Sequence, residues 1–254
     1  MITNELKIPH SHLNIPLHQK HTKNLKYCFE WIEDKKDLED IYTFRALQFS
    51  KQFGISFLNG RDQDQYDATC KHAILRDVWS NEIVAYTRVK FLYGDQIQQS
   101  YSQHEFYLDQ IFLPTDRIVE IGRTCVHMDY RSSKVLSILW MYLFHKYIQE
   151  VQADYLIGCV SIKILENEEK VYATHQYIQQ LESDYSCAIR SKNTFEIICQ
   201  MDDLFAYKKI PKLFDIYLKM NGQFSKQAYY DREFNCLDYF VLMKVSQMSG
   251  YFLK

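Results

Sequence analysis

The stretch that decides the fold is Val119-Glu120-Ile121-Gly122-Arg123-Thr124-Cys125-Val126-His127, continued by Asp129-Tyr130-Arg131-Ser132-Ser133-Lys134. Its first part alternates and is rich in β-branched residues, which predicts a strand over 118–126. After the turn, Leu136, Leu139, Trp140, Leu143, Phe144, Tyr147 and Val151 recur at helical spacing. They predict a long amphipathic helix to about 151, capped by Ser132 or Ser133. Residues 155–162 read as a buried strand interrupted only by Gly158. Strand, helix and strand at this spacing form a βαβ unit, so the two strands run parallel and a right-handed crossover joins them.

Outward from this unit, residues 26–32 alternate as a strand. Asp34 then caps a helix over 35–53, with Leu38, Ile41, Tyr42 and Phe49 on one side and Gly54 as the stop. A polar loop over 55–70 carries Asp62, Asp64 and Asp67. Strands over 72–79 and 82–92 flank Ser80-Asn81 as a hairpin. Residues 93–117 look irregular, with a short helix near 104–109. Helices over 168–181 and 212–220 and strands over 194–199 and 237–245 complete the chain. The simplest arrangement is α/β (α+β): one mixed central sheet with helices on both faces. A single domain over 25–254 follows a polar arm, 1–24, whose His10, His12, His18 and His21 are spaced around the helix breakers Pro9 and Pro16. That arm reads as loosely docked rather than as a metal site, since a site needs fixed geometry.

The 254 residues and 47% apolar content suffice for a sizeable core. Twenty Tyr and 16 Phe fit either a plain composition bias or a tunnel for a long apolar substrate. A net charge of −2 excludes general nucleic-acid binding, which needs a basic field. Seven Cys without a CxxC or a pairing pattern imply reduced thiols, hence a cytoplasmic protein. The N-terminus lacks a signal-peptide core and no run reaches a spanning length, so any membrane contact, at the inner membrane, is peripheral.

Acyl transfer from a thioester to an amine requires a base, N–H donors for the oxyanion and a grip on the carrier's phosphate. Glu120 is the candidate base, although it also reads as a surface carboxylate or as the partner of Arg123. The turn at Arg131, Ser132, Ser133 and Lys134 offers cations and the amides heading the long helix. Cys125 and His127 share a face, and Cys125 and Cys159 fall on neighbouring strands. Core packing explains these thiols better than nucleophilic catalysis does, and Trp140 on the apolar stripe is core.

Four segments carry a resemblance: Arg45 with Asp62-Gln63-Asp64-Gln65-Tyr66-Asp67 and Cys70-Lys71-His72; Ile83-Val84-Ala85-Tyr86-Thr87-Arg88; Glu120 through Arg131 with Leu139-Trp140 and Leu156 to Ser161; and Ile210 to Phe214 with Tyr217-Leu218 and Asp231 to Asp238. Over about 27–245 the chain resembles the GNAT N-acyltransferase fold, in its acyl-carrier-protein-using branch of ornithine-lipid acyltransferases (L-ornithine N-alpha-acyltransferases) and related acyl-homoserine-lactone synthases. The third and fourth segments favour the ornithine-lipid side.

The resemblance implies transfer of a fatty or 3-hydroxyacyl group from acyl carrier protein to the α-amine of an amino acid, ornithine first, giving a lyso-lipid. It implies that Glu120 activates the amine and that Arg123 and Arg88 organise the site with Asp62 and Asp64 or bind the acceptor's carboxylate. Arg45, Cys125 and Val126 join the substrate-binding set. Arg131, Ser132, Ser133, Lys134 and Val135 would hold the phosphopantetheine and carrier, and no resident cofactor or metal is implied. An ion-pair network bracing the long loop is compatible with the same arginines and aspartates. Coenzyme-A users carry glycines in the phosphate turn, whereas this turn has none. That favours the single phosphate of a carrier-borne pantetheine over free coenzyme A. A homoserine-lactone synthase using S-adenosylmethionine, and an inactive carrier-binding module, are the competing readings.

Overall fold

A computed structural model of the chain describes residues 26–131, 134–164, 168–181, 189–197 and 210–248. The polar arm 1–24, Ser132, Ser133 and positions 198–199 of the strand expected over 194–199 lie outside the described residues.

Strand β1 (Tyr27–Ile32) leads into α1 (Lys35–Phe53). The Asp34 side chain accepts the Lys36 N–H at 2.8 Å, and Gly54, at φ 75°, closes the helix by donating to the Ser50 carbonyl. That left-handed conformation is the reason for glycine there. Strands β2 (Lys71–Asp77) and β3 (Ile83–Tyr93) form the expected hairpin. The next stretch is more ordered than its sequence implies. It holds a 3-10 turn (Gly94–Gln99), the single-turn α2 (Ser102–Glu105) and β4 (Phe106–Tyr107) before β5 (Arg117–Val126) begins.

Helix α3 (Val135–Leu143) is shorter than its apolar period suggests. Residues Phe144–Ile148 continue it as a π turn, with the Gln149 N–H reaching the Phe144 carbonyl at 3.1 Å. The widened turn buries Phe144, Tyr147 and Ile148 together. Strand β6 (Tyr155–Lys163) and α4 (Glu168–Gln180) follow as expected. Next come β7 (Arg190–Ser191), which pairs with β4 as a small second sheet, and α5 (Lys212–Lys219). The chain ends in β8 (Gln223–Phe224), β9 (Tyr229–Asp231) and β10 (Cys236–Lys244). Over 194–197 the expected strand is reduced to a single bridge, Thr194 to Tyr229, because β8 and β9 already occupy the edge of β10.

The main sheet runs β1-β2-β3-β5-β6-β10-β8, with β9 also on β10. Every pairing is antiparallel except β5 with β6, as the βαβ crossover demands. On one face, Ile41, Tyr42, Phe49 and Phe53 of α1 pack on Ile74, Tyr86 and Cys125. On the other, Val135 and Leu139 of α3 cover Leu75 and Ala85, while Trp140, Leu143 and Phe144 join Val89, Val119 and Ile121 with residues of α4 and α5. Each such apolar side chain contributes roughly 1.5–3 kcal/mol of transfer free energy.

Two local features open this sheet. The parallel register of β5 with β6 is only Ile118↔Tyr155, Val119↔Leu156 and Glu120↔Ile157. Next, a bulge shifts the β3–β5 register, so that Tyr86 faces Cys125 but Arg88 faces Gly122. The bulge holds Arg123 at φ 49°, a left-handed conformation that costs a side-chain-bearing residue about 1–3 kcal/mol. At the point of divergence, Gly158 lets β6 approach β5, since a Cβ there would lie 2.4 Å from the Ile121 carbonyl oxygen.

Candidate active site

The diverging strands open into a cleft of about 880 Å³, counting its mouth. Glu120, Gly122 and Arg123 of β5, Arg88 and Lys90 of β3, and Cys159 and Ser161 of β6 form its polar wall. Phe49, Phe53, Leu213, Tyr217 and Phe234 supply an apolar lining suited to hydrocarbon.

Glu120 lies in this wall at 6% exposure. Its Oε2 accepts the Tyr101 N–H at 2.8 Å and its Oε1 the Ser102 N–H at 2.7 Å. Those amides precede and open α2, where intrahelical acceptors are lacking, so a carboxylate from the sheet satisfies them. Glu120 thus faces the cleft and also anchors the turn that closes its side. Each oxygen keeps a further lone pair for a ligand. It is not the partner of Arg123, whose guanidinium is turned by the bulge toward Asp64, at 3.1 Å, and Asp62, at 3.6 Å.

Arg123 is sandwiched between Tyr101 and Phe234, with ring centroids 5.3 and 4.8 Å away. Its Nε is buried, makes no hydrogen bond among the described residues and lies 3.6 Å from the Asp62 carboxylate. Behind it, three arginines and three aspartates interlock. Arg45 donates to Asp62 at 2.8 Å and to Asp67 at 2.7 Å, and Arg88 to Asp64 at 2.5 Å and to Asp67 at 2.8 Å. Burial alone would raise the Asp67 pKa, but Arg45 and Arg88 overcome it and hold the group at about 2. His72 belongs to the same network and burial lowers its pKa, so it is neutral. Its Nε2 lies 3.1 Å from the Asp67 carbonyl, which can only accept, and its Nδ1 therefore accepts from the Tyr86 hydroxyl at 2.8 Å.

The predicted residues separate cleanly by position. Glu120, Arg123 and Arg88 line the cleft, and Asp64 lines an adjoining hollow that shares Tyr101, Arg123 and Asp231 with it. Arg45 and Asp62 do not reach the cleft: they are 0% and 3% exposed and brace the loop after α1. The Cys125 side chain points into the α1 core rather than the cleft, and Val126 packs against the α3 cluster. Any contact those two make with substrate would come through their backbone. Arg131 is directed at carbonyls, Val126 at 3.4 Å and Gln48 at 3.3 Å. Lys134 stands exposed at the head of α3, and Val135 is buried beneath it. Ser132 and Ser133 lie outside the described residues.

Lys90, Tyr101, Ser102 and Glu105 line the site without any signal in the sequence, while Cys159 reads there as core packing and Asp231 and Asp238 enter only within the segment that carries the resemblance. Asp238 also stands out as a lone acid inside the apolar strand Cys236-Leu237-Asp238-Tyr239-Phe240-Val241. The thiols are poor nucleophiles. Burial pushes Cys70 up to about 11 and raises Cys125 and Cys159 well above the usual thiol range. That disfavours a covalent thioester relay and leaves direct transfer.

Residues 44–141 match the family model described as an acetyltransferase (GNAT) domain. That stretch of the chain is similar to a GNAT domain. The match runs from α1 into α3 and includes the diverging part of β5. Beyond it, the chain is 24% identical over 240 residues to the L-ornithine N(alpha)-acyltransferase of Rhodobacter capsulatus, covering 89% of this chain and 92% of that protein. It is 23% identical over 209 residues to the L-ornithine N(alpha)-acyltransferase of Rhizobium meliloti, covering 76% and 70%. Among solved structures, FeeM, an N-acyl amino acid synthase from uncultured soil microbes, shares the fold at a TM-score of 0.52 and 10% identity, over 90% of this chain and 98% of that one. These relatives and the GNAT-like fold support acyltransferase chemistry for this chain. Among the described residues no helix is long and apolar enough to cross a membrane.

Proposed function

We propose that this chain transfers a fatty or 3-hydroxyacyl group from acyl carrier protein to the α-amine of an amino acid, ornithine first among them, giving a lyso-ornithine lipid. The observation that carries the reading is the convergence, where β5 leaves β6, of a carboxylate (Glu120), a stacked guanidinium (Arg123) and an apolar lining in one cleft. The relatives named L-ornithine N(alpha)-acyltransferase support the acceptor.

In this mechanism the acyl thioester enters between the diverging strands. Backbone N–H groups of β5 beyond Glu120, released from pairing with β6, stabilise the oxyanion as the amine attacks the carbonyl carbon. The attacking nitrogen becomes strongly acidic as the C–N bond forms, so a modest base suffices. Glu120 takes its proton, directly or through one water. The tetrahedral intermediate collapses by breaking the C–S bond, and the pantetheine sulfur leaves as thiolate. Arg123, with Arg88 behind it, pairs with the acceptor's carboxylate. Lys134 and Arg131, with the backbone N–H groups that open α3, face the pantetheine phosphate and the acidic carrier. The glycine-free turn is the reason for preferring a carrier-borne donor to coenzyme A.

The test incubates the purified chain with acylated carrier protein and one amine at a time, reading free carrier thiol and product mass. Thiol release with ornithine and an N-acyl-ornithine product supports the proposal. Release only with S-adenosylmethionine would reassign the chain as a homoserine-lactone synthase. Tight carrier binding without release for any amine would make it a binding module.

A further inference from the structure

Beside Tyr101 and Arg123, in the cleft and its adjoining hollow, three acids have no ion-pair partner among the described residues. Glu105, the last residue of α2, is 1% exposed; its carboxyl oxygens make no hydrogen bond of ordinary geometry among the described residues, although the Tyr101, Cys159 and Asp238 side chains adjoin them. Asp238 and Asp231 come from the adjacent strands β10 and β9, and their carboxyl oxygens lie within 4.8 Å of one another and of the Cys236 sulfur. Asp231 and Asp238 line the cleft that holds Glu120, and Glu105 and Asp231 line the adjoining hollow. Arg123 and Tyr101 belong to both walls, so the acids flank the place proposed for the acceptor.

Nearby cations are committed elsewhere. Arg123 faces Asp62 and Asp64. Lys90 donates to the Gln99 carbonyl at 2.7 Å. The backbone N–H of Lys192 binds the Glu105 carbonyl at 2.8 Å, yet its ammonium goes to the carbonyl of Gln103. Among the described residues no ion pair reaches any of the three acids. Burying carboxyls together without a cation is costly, and for Glu105 and Asp238 it favours the protonated form. Burial raises Glu105 well above the usual range, with Asp238 adding to it, and burial pushes Asp238 up to about 6.

We propose that Glu105, Asp231 and Asp238 form a subsite for a cationic side-chain group of the acyl acceptor, the ammonium of a basic amino acid whose α-amine lies at Glu120. The subsite rests on the N-acyltransferase reading for its place beside the reacting amine, and it adds the reason that a basic acceptor is chosen over an uncharged one. An acceptor lacking the cation leaves a carboxyl pair buried and unmatched, a larger discrimination than a missing methylene gives. A divalent ion is the competing occupant. It is disfavoured because Cys236 holds a thiol proton toward Asp238 at 3.5 Å and hard cations prefer six or more oxygens.

The test titrates the full chain, without donor and both with and without EDTA, with L-ornithine and with L-norvaline, which lacks only the terminal amino group. It is repeated with Glu105→Gln and Asp238→Asn, each checked by circular dichroism and melting. Ornithine is expected to bind at least about tenfold more tightly than norvaline, and the ornithine-to-norvaline ratio to fall at least about tenfold in a folded variant. Equal affinities in the unsubstituted chain, an unchanged ratio in both variants, or ornithine binding abolished by EDTA would overturn the subsite. Acyl transfer from the carrier is measured in parallel. Equal acylation of both amines overturns the subsite and keeps the N-acyltransferase reading. Charge-selective binding with no transfer to any amine does the reverse.

Discussion

Glu120 is a single side chain with two duties, and they can be separated. Its oxygens accept the Tyr101 and Ser102 N–H groups, so Glu120→Gln turns an amide donor toward one backbone donor while also removing the base. Turnover at neutral pH is expected to fall by ~10²–10⁴, the usual share of general-base work. Amide exchange at residues 101–105 should quicken as well, because α2 loses its anchor. Full activity in the variant would remove Glu120 from the mechanism, and normal exchange would remove it from the architecture. Glycine at 158 is a second residue-scale requirement. Gly158→Ala places a methyl 2.4 Å from the Ile121 carbonyl oxygen, against backbone that has nowhere to move. The expected cost is roughly 1–3 kcal/mol in chemical denaturation. Gly122→Ala is the control: a Cβ there meets nothing within 4 Å, so stability should be unchanged.

Among elements, the bulge in β5 and the head of α3 set the site's two ends. The bulge turns Arg123 away from Glu120 and into the aspartate network, just past the point where β5 stops pairing with β6. At the other end, Lys134 is exposed where the α3 amides begin, a place for a long-range attraction to an acidic carrier. Lys134→Glu is expected to raise the apparent KM for acylated carrier at low salt, with the difference shrinking toward 0.5 M salt because a Debye length of about 4–10 Å screens it. An effect independent of salt would show that this turn does not meet the carrier. The π turn after α3 belongs to packing: it carries Tyr147 and Ile148 into the same core as Trp140.

Over the whole molecule, two sets of buried acids act in opposite directions on stability. Asp67, held at about 2 against an unfolded value near 3.9, stabilises the fold above pH ~4, and that contribution is lost as pH falls toward 2. Asp238, pushed up to about 6, acts the other way. Below pH ~4 it is protonated in both states and costs nothing; from there to about 6 only the unfolded chain is ionised, so stability falls as pH rises. The melting-temperature difference between Asp238→Asn and the unsubstituted chain should therefore grow from pH 4 to 6 and level off above. A flat difference over that range would mean that Asp238 is not the strained acid.

Much of this protein follows from local sequence. The cap at Asp34, the stop at Gly54, the hairpin of β2 and β3, and the parallel pair β5 and β6 around a helix all rest on short-range periodicity and turn chemistry, and the structure contains each of them. Glu120 and Arg123 stood out because charged residues are costly in an apolar strand unless something meets them. What met them was decided only in three dimensions. The Tyr101 and Ser102 amides reach Glu120 across 18 or more positions, and Arg45, Arg88 and Arg123 converge on Asp62, Asp64 and Asp67 from three separate elements. Glu105, Asp231 and Asp238 become one group only when α2, β9 and β10 are packed together. Periodicity reports which face of an element is buried; it carries no information about which buried charge lies opposite another, because that depends on the register of strands far apart in the chain.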